Sequence, residues 1–195
     1  VIGFSDVTAL INAVYANKGY KTFHGPTFNK LYKNPQKDHL LNILSGEGQS
    51  YKCSQAKILN KGTASGHLIG GNLSIFQYLP QTHAGAFWKS GILFLEDCNE
   101  ELSKIDRMLL HLKRIGVLSE ISGLIWGEIE EFPETGRPYG FSLEEVILEH
   151  CSAYNIPILI NFPIGHGQNL YTLPIGQQFS LNLSGNTPEF KIMFP

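Results

Sequence analysis

Three polar residues of this sequence stand where an apolar strand is expected to end: Ser5, Glu96 and His166. Ligands of open α/β sheets bind at the carboxyl ends of strands, and the order serine, acid, histidine suits a hydrolytic triad. In such a triad histidine removes the serine proton and the acid orients the imidazole. Each residue also has an ordinary structural explanation, as a helix cap for the serine or the acid and as a turn residue for the histidine.

Ser5 lies in the opening stretch Val1-Ile2-Gly3-Phe4-Ser5-Asp6-Val7-Thr8, which the pattern divides into a buried strand, a sharp turn and a helix. A Gly-x-Ser turn between strand and helix is the geometry of a nucleophile elbow, which exposes the hydroxyl. The full pattern has a second glycine, and Val7 occupies that position here. Capping of the following helix by Ser5 or Asp6 is the competing interpretation.

The remaining histidines indicate no metal centre, because none has the spacing His-x-x-x-His on one helix face. Among these histidines, His24 is the one that could line the site. It begins a His-Gly-Pro segment after a predicted strand, so His24 and Gly25 are candidates for lining the site, with a structural turn as the alternative.

Composition narrows the class of protein. The 195 residues are 43% hydrophobic and 16% charged, with a net charge of −2. This predicts a globular protein without the basic surface that nucleic acid requires, and no apolar run is long enough to cross a bilayer. Three widely spaced cysteines, Cys53, Cys98 and Cys151, predict reduced thiols and a cytoplasmic location.

Alternating helices and strands predict an α/β architecture. The helices are expected over 6–17, 38–44, 73–79 and 100–115, and after a capping box formed by Ser142 and Glu145; the strands are expected over 20–23, 91–97, 121–129 and 156–160. Paired glycines at Gly70 and Gly71 predict a close approach of backbone to another group. The segment 178–194, with turn residues at 184–186, predicts an antiparallel hairpin.

The expected organisation has two lobes. Residues 1–46 would be the end of an N-terminal parallel α/β domain that carries the nucleophile, 47–65 a polar linker without sustained periodicity, and 66–195 a C-terminal α/β domain that carries the acid and the base. Because the chain begins inside a predicted strand, the sequence indicates an N-terminally truncated protein, with a further segment before Val1.

Several motifs occur in an order that is specific for one family. They are Gly3-Phe4-Ser5-Asp6-Val7-Thr8-Ala9-Leu10, Thr22-Phe23-His24-Gly25-Pro26, Gly70-Gly71-Asn72-Leu73, Leu93-Phe94-Leu95-Glu96-Asp97 followed by Ile105-Asp106-Arg107, and Pro163-Ile164-Gly165-His166 followed by Leu173-Pro174-Ile175-Gly176. Together they resemble the LD-carboxypeptidases, or murein tetrapeptide carboxypeptidases, of serine peptidase family S66. The resemblance covers nearly the whole chain.

The resemblance implies Ser5 as nucleophile, Glu96 as acid and His166 as base, with Glu128 as the second choice for the acid. It also implies an oxyanion hole made by the backbone N–H of Asp6 and by a glycine upstream of this chain. No metal or organic cofactor is implied, and the expected assembly is a homodimer in the cytoplasm.

The substrate implied by the resemblance is a murein tetrapeptide, which loses its terminal D-alanine by hydrolysis of an L,D bond in cell-wall recycling. Three alternatives remain open: hydrolysis of a peptide–nucleotide such as microcin C, giving immunity; a non-catalytic peptide- or sugar-binding protein of the same fold; and an ordinary α/β-hydrolase esterase. Trp88 and Trp126 are candidates for stacking on a nucleotide base, with a place in the core as the alternative.

Overall fold

Four parallel strands form the centre of the main sheet. The computed structural model describes residues 1–47, 50–52, 54–82, 87–128, 136–167 and 170–193. Within them, the central strands run side by side in chain order, and all the side chains of two of them are buried. They are β5 (Thr63–Asn72), β6 (Ile92–Glu96), β7 (Gly123–Gly127) and β8 (Ile158–Phe162). Burial on both faces explains why their sequences are almost continuously apolar.

Antiparallel strands extend this sheet at both edges. They are β3 (Ser50–Tyr51), β4 (Lys57–Asn60), β10 (Gln178–Asn182) and β11 (Glu189–Ile192). The described residues thus form an eight-stranded sheet in the order β3-β11-β10-β5-β6-β7-β8-β4. The predicted hairpin is confirmed by the pairing of β10 with β11. The segment 47–65, predicted as a polar linker, includes β3, β4 and the start of β5, and its role as a linker stays a prediction.

Helices cover the two faces of the sheet. Alternate residues of β6 serve two hydrophobic clusters: Leu93 and Leu95 pack in one, Ile92 and Phe94 in the other. The first cluster lies under α4 (Leu73–Phe76), α5 (Leu102–Arg114), α6 (Val117–Glu120) and α7 (Leu143–Cys151). The second includes residues of α1 (Thr8–Lys18) and α3 (Lys37–Ser45). The capping box at the start of α7 forms as predicted.

A small second sheet carries the turn that contains Ser5. Its strands are β1 (Ile2–Gly3), β2 (Thr22–His24) and β9 (Leu173–Ile175), in the order β1-β2-β9. The first pair is parallel and the second antiparallel. β9 comes from the predicted C-terminal domain and pairs with a strand of the predicted N-terminal domain, and the division into two lobes stays a prediction. The prediction of a buried strand at β1 is wrong for Ile2, which is 40% exposed, whereas Gly3 is buried.

Other expectations concern single residues. Trp88 and Trp126 are core residues, 8% and 0% exposed. Cys151 is a buried free thiol, and burial raises its pKa to about 12. Cys53 lies outside the described residues. Among the helices of the described ranges, none has the length and apolarity to span a membrane.

Candidate active site

Ser5 occupies a sharply bent turn. It begins a 3₁₀ helix (Ser5–Val7) that leads from β1 into α1, and its φ of 58° is in the left-handed region. A non-glycine residue rarely adopts that conformation, and such strain is concentrated at functional sites. The interpretation of Ser5 or Asp6 as a helix cap is wrong, because neither the 3₁₀ helix nor α1 has a side-chain cap.

Gly3 makes this turn compatible with Val7. A Cβ added at Gly3 would lie 2.7 Å from Cγ1 of Val7, which is closer than real Cβ contacts. The valine that replaces the second glycine of the elbow pattern therefore packs against the first one. This explains how the bend forms although the motif is incomplete.

Glu96 is the last residue of β6 and is completely buried. Two glycines make room for its side chain: a Cβ at Gly127 would lie 2.9 Å from Cβ of Glu96, and one at Gly165 would lie 3.1 Å from its Oε2. The alternative that Glu96 or Asp97 caps α5 is wrong, because α5 starts after Glu101 and has no side-chain cap.

His166 and Glu96 form a hydrogen bond. Nδ1 of His166 lies 3.0 Å from Oε2 of Glu96, and the histidine side chain is 19% exposed. When Nδ1 donates to the Glu96 carboxyl, the neutral ring keeps the lone pair of Nε2 free to accept a proton. The hydrogen bond to Glu96 raises the pKa of His166, while burial opposes this rise. The pair is thus a carboxylate-oriented base.

Contacts bring the serine turn to this pair. The ring centroid of Phe4, next to Ser5 in the chain, lies 4.9 Å from that of His166. The helix after the turn is fixed to β5, since Oγ1 of Thr8 accepts from the Asn72 N–H at 2.9 Å and Asn12 Nδ2 donates to the Gly70 carbonyl at 2.8 Å. No hydrogen bond among the described residues joins the Ser5 hydroxyl to His166.

His24 lies beside the pair, in the interior. It is 1% exposed and its ring centroid is 5.0 Å from that of Phe94. Desolvation lowers the pKa of His24 to about 4; the charge of Glu96 opposes this shift and that of His166 adds to it. Gly25 donates its N–H to the Gly3 carbonyl at 3.1 Å, and a Cβ there would lie 2.8 Å from Oγ1 of Thr172. Their part in lining the site stays a prediction.

Two other acids lie near the strand ends. Glu128 follows β7, and its backbone N–H donates to the Ile164 carbonyl at 3.3 Å. Asp97 accepts from the Asn72 side chain, from the N–H and hydroxyl of Ser74 and from the Cys98 N–H, so it ties the end of β6 to the start of α4.

Lys30 is a site residue that sequence reasoning missed. It lies in α2 (Phe28–Leu31), and its Nζ donates to the His166 carbonyl at 3.2 Å and stands 5.0 Å from the centroid of the Phe4 ring. No motif marks a lysine in an exposed, four-residue helix, because its position depends on how two distant segments meet. Among the described residues, no group of three His, Cys, Asp or Glu side chains has the arrangement of a metal site.

Comparison with known proteins identifies the family of this chain. The family model described as the LD-carboxypeptidase C-terminal domain matches residues 65–181. The Bacillus subtilis protein named "probable murein peptide carboxypeptidase" is 31% identical over 192 residues, covering 95% of this chain and 60% of that protein. The microcin C7 self-immunity protein MccF of Escherichia coli is 28% identical over 224 residues, covering 93% of this chain and 62% of MccF. The chain thus spans 60–62% of the length of these two curated relatives.

Solved structures show the same fold. MccF in complex with glutamyl sulfamoyl guanosine matches with a TM-score of 0.87 at 23% identity, over 99% of this chain and 67% of that one. The muramoyltetrapeptide carboxypeptidase from Oxalobacter formigenes matches with a TM-score of 0.83 at 24% identity, over 100% of this chain and 69% of that one. At these identities the likeness establishes the mixed α/β fold.

Proposed function

The chain belongs to the LD-carboxypeptidase family of serine-type carboxypeptidases, and on that premise we propose that it hydrolyses an L,D peptide bond, with Ser5, Glu96 and His166 as its triad. The observation that carries the proposal is the hydrogen bond from His166 to the buried Glu96, on the side of the sheet where the strained Ser5 turn lies. That pair supplies an oriented base, which the competing structural roles of these residues do not require.

The reaction follows from the chemistry of the three groups. Nε2 of His166 takes the proton of the Ser5 hydroxyl, whose oxygen attacks the carbonyl carbon and forms a tetrahedral oxyanion. The N–H of Asp6 is the proposed donor to that oxyanion. The intermediate collapses when His166 gives the proton to the leaving amine, which breaks the C–N bond, and water then hydrolyses the acyl-serine with His166 as base. These steps use no metal or organic cofactor.

The proposed substrate is a murein tetrapeptide, which would lose its terminal D-alanine. The Bacillus subtilis relative, named for murein peptides, supports this choice. We further propose that the enzyme acts in the cytoplasm, in cell-wall recycling, and as a homodimer.

A second candidate is hydrolysis of an aminoacyl- or peptidyl-nucleotide. The match to MccF in complex with glutamyl sulfamoyl guanosine favours it. The burial of Trp88 and Trp126 removes both tryptophans as stacking surfaces for a base.

The decisive experiment measures D-alanine release from L-Ala-D-Glu-diaminopimelate-D-Ala by the protein at its natural length. Ser5→Ala and His166→Ala should each lower turnover on the order of a thousandfold or more and leave the circular dichroism spectrum unchanged. Ser184→Ala, at an exposed serine, is the matched control and should keep full activity. Near-normal release by either site variant would refute the triad. Hydrolysis of aspartyl sulfamoyl adenosine without D-alanine release would favour the second candidate.

A further inference from the structure

A small cavity adjoins His166 between the residues of α2 and the segment before β9. It has a volume of about 210 Å³, below the roughly 300–1,000 Å³ of pockets for drug-sized ligands. Its lining includes two lysines, two asparagines and the histidine itself, namely Asn29, Lys30, Lys33, Asn34 and His166. The size suits one small residue, and the described lining carries positive charge without any acidic side chain.

The wall of this cavity is braced. Asn34 is 5% exposed; its Nδ2 donates to the Leu170 carbonyl at 2.9 Å and its Oδ1 accepts the Leu170 N–H at 3.3 Å. The bonds join the chain after α2 to the segment before β9. These two bonds hold the chain that follows α2 against the segment that follows His166.

Lys30 is the lysine nearest to the candidate base. Its Nζ lies 3.2 Å from the His166 carbonyl and above the Phe4 ring, which itself packs on the imidazole. Within the described ranges no carboxylate lies at ion-pair distance from Lys30. The positive charge of Lys30 is therefore available to an anion from outside the protein. The net charge of the protein is −2.

In a carboxypeptidase, the terminal carboxylate of the substrate must lie close to the histidine that protonates the leaving amine. His166 protonates the leaving amine, so that nitrogen must come within hydrogen-bond distance of the imidazole. The amine sits on the carbon that bears the terminal carboxylate, two bonds away. A cation that recognises this carboxylate must consequently stand within a few ångströms of the histidine, on the leaving-group side.

We propose that Lys30, assisted by Lys33, binds the free carboxylate of the terminal residue that is released, and so restricts hydrolysis to the last bond of the peptide. The inference rests on the proposed function, since it assigns the leaving-group side of the same site. An ammonium group on a carboxylate gives a charge-assisted hydrogen bond, whereas a terminal amide or a continuing peptide chain leaves Lys30 without its anion.

The test compares two substrates that differ only in that charge: the tetrapeptide ending in D-alanine and the same peptide ending in D-alaninamide. For the parent protein at its natural length, kcat/KM should be higher with the free acid. Lys30→Met should lower kcat/KM about 10- to 100-fold for the acid, the range expected for one hydrogen bond to a charged group, and less than about twofold for the amide. Lys30→Arg should restore part of the preference for the acid.

Lys37→Met is the matched control, because this exposed lysine lies in the neighbouring helix α3 and does not line the cavity. It should leave the ratio of the two kcat/KM values unchanged. Equal losses for acid and amide in Lys30→Met would overturn the inference and leave the triad standing.

A binding measurement separates this inference from the proposed function. D-alanine should shift the ring resonances of His166 in the Ser5→Ala protein, D-alaninamide should shift them less, and Lys30→Met should abolish the difference. If the parent hydrolyses neither substrate, the proposed function fails, and this Lys30-dependent difference would still support the carboxylate site. Equal shifts with acid and amide would refute the site by itself.

Discussion

At the scale of single residues, the neighbours of His166 shift the pKa of its imidazole in opposite directions. The hydrogen bond to Glu96 raises its pKa most, burial lowers it, and the nearby charges of Glu96, Lys30 and Asp97 add smaller effects; His24 faces the same pair. The net pKa is raised, and only the neutral ring accepts a proton. We therefore expect kcat/KM to fall on the acid side at a pH above the ordinary 6.5 of histidine.

The pH profile of kcat/KM for D-alanine release measures the pKa of His166 in the free enzyme. In Lys30→Met the acid limb should move to still higher pH, because a charge that lowers the His166 pKa is removed. An acid limb below the ordinary histidine value would contradict the assignment of His166 as base.

Substituting each of the two candidate acids by glutamine tests which one orients the His166 imidazole. Glu96→Gln keeps the shape of the buried side chain but replaces the carboxylate that faces Nδ1, so we expect a loss of kcat on the order of a hundredfold or more, smaller than in Ser5→Ala. Glu128→Gln should cost much less. The reverse ranking, measured by D-alanine release, would move the acid to Glu128.

Buried His24 should make the protein sensitive to acid. Its folded-state pKa of about 4 lies below the unfolded value, so the unfolded chain binds the proton first as pH falls from about 6.5. Stability present above that pH is then lost progressively down to about pH 4, by about 3 kcal/mol for this group. Urea unfolding between pH 7 and 4 should show a shallower loss in His24→Gln; an unchanged slope would contradict this account.

The positions of Ser5, Glu96 and His166 at the candidate site were predictable because strand ends and glycines mark them in the sequence. Ser5 follows Gly3, and His166 follows Gly165, whose missing Cβ leaves space for Glu96. Lys30 was not predictable, since an exposed lysine has no local signal and its contact with His166 spans 136 residues of chain.

At the scale of elements, close packing of β5 against β6 requires a residue without a Cβ at Gly70. Its φ is 137°, and a Cβ there would collide with the carbonyl oxygen of Phe94 in β6. Gly70→Ala should lower the free energy of unfolding by about 3 kcal/mol or more. Gly185→Ala, in the open turn after β10, should change it by less than about 0.5 kcal/mol in the same denaturant titration. Equal effects would refute the packing argument.

Elements with strong periodicity were predicted, and short edge strands were not. The apolar face of α5 and the capping box of α7 are local signals, and both elements form. β3 and β4 have two and four residues and acquire their conformation by pairing with β11 and β8. Such pairing is fixed by distant partners, which a polar segment does not reveal.

At the scale of the whole molecule, the predicted lobes are tied together. β2 pairs with β9, and α1 is bonded to β5 through Thr8 and Asn12. We expect the amides of Phe23 and Gly25, which donate to Val1 and Gly3, to reach the same free energy of opening as those of β6 when hydrogen exchange is measured in rising urea. If the amides of Phe23 and Gly25 reach a different free energy of opening from those of β6, the two lobes unfold independently.

The pairing of β2 with β9 also has a consequence for biosynthesis. A ribosome makes the chain from its N-terminal side, so β1, β2 and the Ser5 turn emerge long before Leu173–Ile175. Until that strand has left the exit tunnel, β2 lacks its antiparallel partner in the small sheet. The small sheet that carries the Ser5 turn is therefore completed only late in translation, once β9 has been synthesised.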